Sequence, residues 1–209
     1  MAVFPGGPVW PSIERDPPDG KPTDDRFGSD PVRFRRRNRS MTQLPLILRP
    51  EKPGDAEAIE RLHERAFGPG RFARTAYRIR EGAPRHLDLS FTALVGSLLV
   101  GSVRLTPITA GRTPGLMLGP LTVDPAFENR GIGQALIERA LDAARGTGHG
   151  FVLLVGDESY YGRFGFKRVP PGRLVMPGPV DPNRLLAVEL ADGALAQAQG
   201  AVRPAPMPP

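Results

Sequence analysis

The chain predicts one mixed α/β (α+β) domain, a central sheet flanked by helices. Three observations carry this. Apolar runs of strand length alternate with helical patterns in the order β-α-α-β-β-β-α-β-α-β-β. Residues 131–145 place Ile132, Leu136, Ile137, Ala140, Leu141 and Ala144 on one stripe near the 3.6-residue period. "GFVLLVGD", 150–157, is a continuous apolar run of the kind found in a fully buried strand.

Taken in order, "LPLILRP" at 44–50 reads as a short strand closed by proline. A helix follows in "PGDAEAIERLHERAF", with Asp55 near its N-cap and Ile59, Leu62 and Ala66 on one face. "GRFARTAYRIREG", 70–82, reads as a second, basic helix ending at glycine. Residues 88–108 read as two strands around a tight turn at Gly96-Ser97. "GLMLGPLTVDP", 115–125, is another strand, whose exit Asp124-Pro125 forces. After the helix at 131–145 and the strand at 150–157, "ESYYGRFGFKRV" reads as a short helix turning at Gly162 or Gly165 into a strand. "RLLAVEL", 184–190, is a late strand, and "ADGALAQAQG" is a weak helix or coil. The domain is expected over 44–198, with 1–43 a disordered extension and 199–209 a proline-rich disordered tail. Met41 is an alternative start, because ordered sequence begins directly after it.

Composition narrows the function classes. Cysteine is absent, which excludes a disulfide framework, a thiolate metal site and a cysteine nucleophile. The histidines His63, His86 and His149 are scattered, and Phe67 stands where a zinc-protease helix would need its second histidine, so no metal is expected. The longest apolar stretch, 91–101, is too short to span a bilayer, and the first thirty residues hold no apolar signal region. A cytoplasmic protein without a membrane partner is expected, monomeric or homodimeric. Net charge +6 and a pI near 10.4 invite a nucleic-acid reading. Eight basic and six acidic side chains lie within residues 1–40, net +2, which leaves +4 for 41–209. The run "RFRRRNRS" at 33–40 therefore reads as part of a disordered extension rather than a nucleic-acid arm.

The informative stretch is "VDPAFENRGIGQALIERAL", 123–141, where two glycines stand at a helix mouth. Glycine costs a helix interior roughly 1 kcal/mol relative to alanine. Gly131 and Gly133 thus point to a backbone that is approached closely or held at positive φ, and the usual visitor there is an anion. A dinucleotide fingerprint would need glycine where Leu136 stands, which weakens that reading, and a Walker loop would need Gly-Lys-Ser/Thr, which fails. What remains is a strand-to-helix turn whose free amides suit a pyrophosphate, or the same turn with no ligand.

These residues resemble a known family. "LGPLTVDPAFENRGIGQALIERAL" with "FVLLVGDESYYGRFGF" looks like the acetyl-coenzyme A site of the GCN5-related N-acetyltransferases (GNAT), and most closely their small YhbS-like bacterial branch. The likeness covers about 45–200. It implies a sheet whose fourth and fifth strands splay to admit the pantetheine arm of acetyl-CoA as cosubstrate. It also implies cofactor contacts from the main chain of Leu121, Thr122 and Val123 and from the amides of Asn129, Arg130, Gly131, Ile132, Gly133 and Gln134. The family pattern has Gln or Arg where this chain has Glu128, which bears on how tightly a diphosphate is held.

The implied chemistry is acetyl transfer to an amine acceptor, whether small molecule, protein or aminoacyl-tRNA. No G-x-S-x-G elbow surrounds Ser97, Ser102 or Ser159, so direct attack by the amine is the simpler route, with proximity supplying much of the acceleration. The resemblance places Tyr161 as catalytic acid for the departing thiolate, against packing or a cofactor hydrogen bond as its other roles. The general base stays open between Asp157, Glu158 and an ordered water. A non-catalytic acyl-CoA-sensing module on the same fold is the alternative function.

Overall fold

The computed structural model describes residues 45–68, 79 and 87–205. Contacts divide the chain into Met1–Met41 and Thr42–Pro209, and every element below belongs to the second unit. The extension at 1–43 with its arginine run, the helix expected over 70–82 and the chain end at 206–209 lie outside the described residues. Ile79 alone of that helix is described, and it is buried.

The elements are β1 (Leu46–Pro50), α1 (Ala56–Phe67), β2 (Phe91–Val95), β3 (Leu98–Ala110), β4 (Thr113–Val123), α2 (Ile132–Arg145), β5 (Phe151–Val155), α3 (Glu158–Tyr161), β6 (Lys167–Arg168), β7 (Leu174–Val175), β8 (Leu185–Glu189), α4 (Ala194–Gln197) and β9 (Gly200–Pro204). The sheet runs β1-β2-β3-β4-β5-β8-β6, antiparallel throughout except for the parallel pair β4–β5. A parallel pair needs a crossover, and α2 supplies it.

The tail is a correction to the sequence reading. Residues 200–204 form β9, which pairs Val202, Arg203 and Pro204 with Ala110, Thr109 and Ile108 of β3 and runs parallel to β7. On that edge β2 has already ended, at its pair with Val103, so β9 completes the second half of a 13-residue strand. Val202 is 2% exposed and gives the segment its apolar anchor. Composition hid this, because Pro204 closes the strand instead of interrupting it.

The stripe predicted for α2 is the buried face of that helix: Ile132, Leu136, Ile137, Ala140, Leu141 and Ala144 pack on Val100, Val103, Leu105, Leu116 and Leu118 of the sheet. Burying the four large aliphatic side chains contributes about 6–12 kcal/mol before the cost of ordering them. Gly101 of β3 lies under Leu136 and Ile132, whose side chains come within 3.1 and 3.2 Å of where a Cβ would stand. The opposite face carries α1, with Ile59, Leu62 and Leu99 at its core. A buried pair ties β1's exit to β3 on this side: Arg104 Nε and Nη2 donate to the Glu51 carboxylate at 2.8 and 2.7 Å, with Glu51 4% exposed.

Two irregularities in β4 shape the site. Val103 and Leu105 of β3 face Leu121 and Leu118 of β4, so three steps on β4 match two on β3, and the extra residue is a bulge around Gly119-Pro120. A bulge bends its strand. On the other side β4 pairs with β5 only at Leu116–Val152 and Met117–Leu153, while β4 continues to Val123. Beyond Met117 that pairing ends, so the β4 edge from Leu118 to Val123 stands open, without a β5 partner.

Candidate active site

The chain leaves the open end of β4 through a built turn. Asp124 caps the short 3-10 segment Pro125–Phe127 by accepting from the Ala126 amide at 3.0 Å, and its other oxygen accepts from Arg65 of α1 at 2.9 Å. Asn129 and Gly131 both adopt left-handed backbone, at φ +59° and +76°. The second is the N-cap of α2. Left-handed backbone costs a residue with a Cβ roughly 1–2 kcal/mol, which accounts for glycine at 131. Open space surrounds the position, so its requirement is conformational.

Ala135 N–H closes the first turn of α2 onto the Gly131 carbonyl at 3.0 Å. The amides of Ile132, Gly133 and Gln134 lie ahead of that bond, at the positive end of the helix dipole. Side chains around them point elsewhere. Gln134 donates to Glu138 at 2.9 Å, and Arg130 stacks 5.2 Å from the Phe127 ring centroid. Glu128 is exposed and has no ion-pair partner among the described residues. Neither Gln134 nor Arg130 is tied to these amides, so main-chain donors line the mouth.

Leu121 and Val123 are half-buried along the opening, whereas Thr122 turns its side chain to the α1 face. There it stands in a polar row across three strands, Thr92, Ser102 and Thr122, with His63 Nε2 3.3 Å from Ser102 Oγ. Glu60 lies 3.9 Å from His63 Nδ1, an order that looks like a Ser-His-acid triad. Ser102 has no exposed surface, so no substrate reaches it as a nucleophile.

Short helix α3 spans the opening. Its two tyrosines meet edge-on at 4.9 Å and 86°, and they serve different sides. Tyr161 lays its ring on the backbone of Gly156, just past β5, and on Phe166 at 5.9 Å. Burial above all, then the neighbouring Tyr160 and Asp157, push its pKa up to about 12, with Arg184 opposing. Tyr160 reaches across to the end of β4 and the first turn of α2. Its Oη stands 3.0 Å from where a Cβ on Gly133 would be, with Val123 and Leu121 methyls at 3.7 and 3.9 Å from the same point. A Cβ at 133 would press on that hydroxyl, so glycine leaves room for the phenol. Burial raises the pKa of Tyr160, and the Arg163 charge works against it.

The two carboxylates considered as bases are both engaged. Asp157 pairs with Arg184 at 3.1 Å, and Glu158 pairs with Arg168 at 2.7 Å. The structure thus brings together Leu121–Val123, Asn129–Gln134 and the α3 tyrosines, and holds Asp157 and Glu158 in surface pairs. Sequence reasoning missed the hydroxyl of Tyr160; its only linear signal is the doubled tyrosine. A cavity of about 470 Å³ lined by Lys167, Arg173, Leu174 and Ala187 lies on the far side of β5 from the opening.

Known proteins are similar to this chain. The description "Acetyltransferase (GNAT) family" matches residues 56–166. The N-acetyltransferase YhbS of Escherichia coli K12 is 29% identical over 159 residues, 75% of this chain and 95% of that protein. The crystal structure of YhbS in complex with CoA superimposes with a TM-score of 0.67 at 26% identity, covering 86% of this chain and 94% of that one. A GNAT family acetyltransferase of Brucella melitensis in complex with acetyl-CoA gives 0.52 at 29% identity, over 69% of this chain and 96% of that one. With its parted parallel strands, its amide-lined helix mouth and a family match over most of that region, the chain belongs to the GNAT acetyltransferase family.

Proposed function

We propose that the protein transfers the acetyl group of acetyl-CoA directly to an amine. The observation that carries this is the coincidence of two features at one place: the opening between β4 and β5, and the free amides at the mouth of α2. An extended pantetheine arm matches the unpaired edge of β4 at Leu121, Thr122 and Val123. A diphosphate matches the amides from Asn129 to Gln134 without any lysine. CoA and acetyl-CoA in the two related structures support the same cosubstrate here.

In the reaction the amine lone pair attacks the thioester carbonyl, the C–S bond breaks, and the amine proton leaves to solvent. Tyr161 meets the departing thiolate. A phenol held at about pKa 12 remains protonated at working pH. Full proton transfer to a thiolate of ordinary pKa ~8.5 is then uphill by roughly 5 kcal/mol. Tyr161 therefore acts chiefly by hydrogen-bonding the sulfur as charge develops. The base is water, because Asp157 and Glu158 are each held by an arginine. A cytoplasmic location suits a cosubstrate drawn from that pool.

Calorimetric titration with acetyl-CoA, followed by free-thiol release over small amines, peptides and aminoacyl-tRNA, tests the proposal. Binding together with thiol release on one amine class is the expected result. Binding without turnover on every class would favour an acyl-CoA-sensing module, and absence of binding would refute both.

A further inference from the structure

We propose that Tyr160 positions the cosubstrate by donating a hydrogen bond from its hydroxyl to a diphosphate oxygen at the mouth of α2. The inference rests on the reading of that mouth as the diphosphate site. Four observations point to it. The hydroxyl stands in the Gly133 notch, beside one of the three amides left free by the first turn. It has no hydrogen-bond partner among the described residues, although the ring is half-buried. Its oxygen is not sealed from solvent, unlike the buried hydroxyls of Thr92 and Thr122, so it is free to donate to an anion arriving at the turn.

The ring is also held in place before any ligand arrives. Arg163 stacks 4.7 Å from its centroid while donating from Nε to the Tyr160 carbonyl at 2.9 Å, and Tyr161 packs edge-on against it. Little side-chain freedom is lost on binding. Finally, the neighbouring side chains leave this task to Tyr160. Gln134 is committed to Glu138, Arg130 lies over Phe127, and the carboxylate of Glu128 can only accept. Gly133 and Tyr160 then act as a unit, glycine making room for the phenol that meets the phosphate.

The test compares CoA with pantetheine, which lacks the diphosphate, by calorimetry on the whole chain. Tyr160→Phe should weaken CoA about tenfold, the scale of one hydrogen bond to a charged group, and leave pantetheine within about twofold. Gly133→Ala places a methyl 3.0 Å from the hydroxyl and should give the same selective loss. Added to Tyr160→Phe it should cost less than about a further twofold, because the group it displaces is gone. Unchanged CoA affinity in Tyr160→Phe overturns the inference while leaving the cosubstrate site standing. So does an equal loss for CoA and pantetheine, which would move the hydroxyl to the pantetheine arm. A wild-type protein that does not bind CoA overturns both.

Discussion

At Tyr161 the raised pKa sets the size of the expected effect. A phenol near 12 is a poor proton donor to a thiolate, so Tyr161→Phe should lower kcat about tenfold, below the ordinary range of acid–base catalysis, with acetyl-CoA affinity nearly unchanged. An unaltered kcat with chemistry rate-limiting removes it from the reaction. The sign of the pH effect follows too. A folded-state pKa above the unfolded value of ~10 gives stability that is complete below pH ~10 and lost as pH rises toward 12. The melting temperature of wild type should therefore fall more steeply with pH between about 10 and 12 than that of Tyr161→Phe, and the two should run parallel below that window. Glu128 is the other telling residue. Its exposed carboxylate repels an arriving diphosphate by about 0.5–1 kcal/mol, so Glu128→Gln should tighten CoA two- to fivefold at low salt. The gain should fade at high salt, where screening acts over about 10 Å. Weaker binding at low salt would mean that the side chain turns away from the phosphates.

Among elements, what was legible in sequence was what local pattern decides. The stripe of α2 gave its buried face, and Gly131 gave the left-handed cap. The β4 bulge, which exists only against β3's register, was implied by the family resemblance and not by local pattern. Two features escaped because they depend on partners distant in sequence. Gly133 meets the Tyr160 hydroxyl across 27 residues. Glu51 finds Arg104 across 53 residues, and nothing in "RPEKPGD" announces a buried carboxylate. Two predictions belong here. Arg104→Ala leaves that carboxylate buried without its partner and should cost about 3 kcal/mol in urea unfolding; a loss under about 1 kcal/mol would mean that water reaches Glu51. Ending the chain at Gln199 removes β9 and uncovers Ile108 and Ala110. Val202 alone is worth about 2 kcal/mol, so the melting temperature should fall by about 4–8 °C or more. An unshifted transition would return residues 200–204 to the status of a tail.

On the scale of the whole molecule, the residues of the candidate site lie within the unit that begins at Thr42. Residues 1–41 are rich in proline, glycine and charge and offer no apolar face, so a chain starting at Thr42 should stay soluble and keep its CoA affinity. Insolubility or lost binding would assign that segment a structural role. The acceptor was not legible, because the segments expected to recognise it, around 66–86 and 170–184, carry no motif of their own. The central claim is that acetyl-CoA enters between β4 and β5 and rests its diphosphate on α2. Amide hydrogen exchange with and without CoA tests this most directly. Exchange should slow at residues 119–123 and 129–134, and should be unchanged around Lys167–Leu174 on the far side of β5. Protection confined to that far cavity, or none at the mouth of α2 at saturating CoA, would contradict the account.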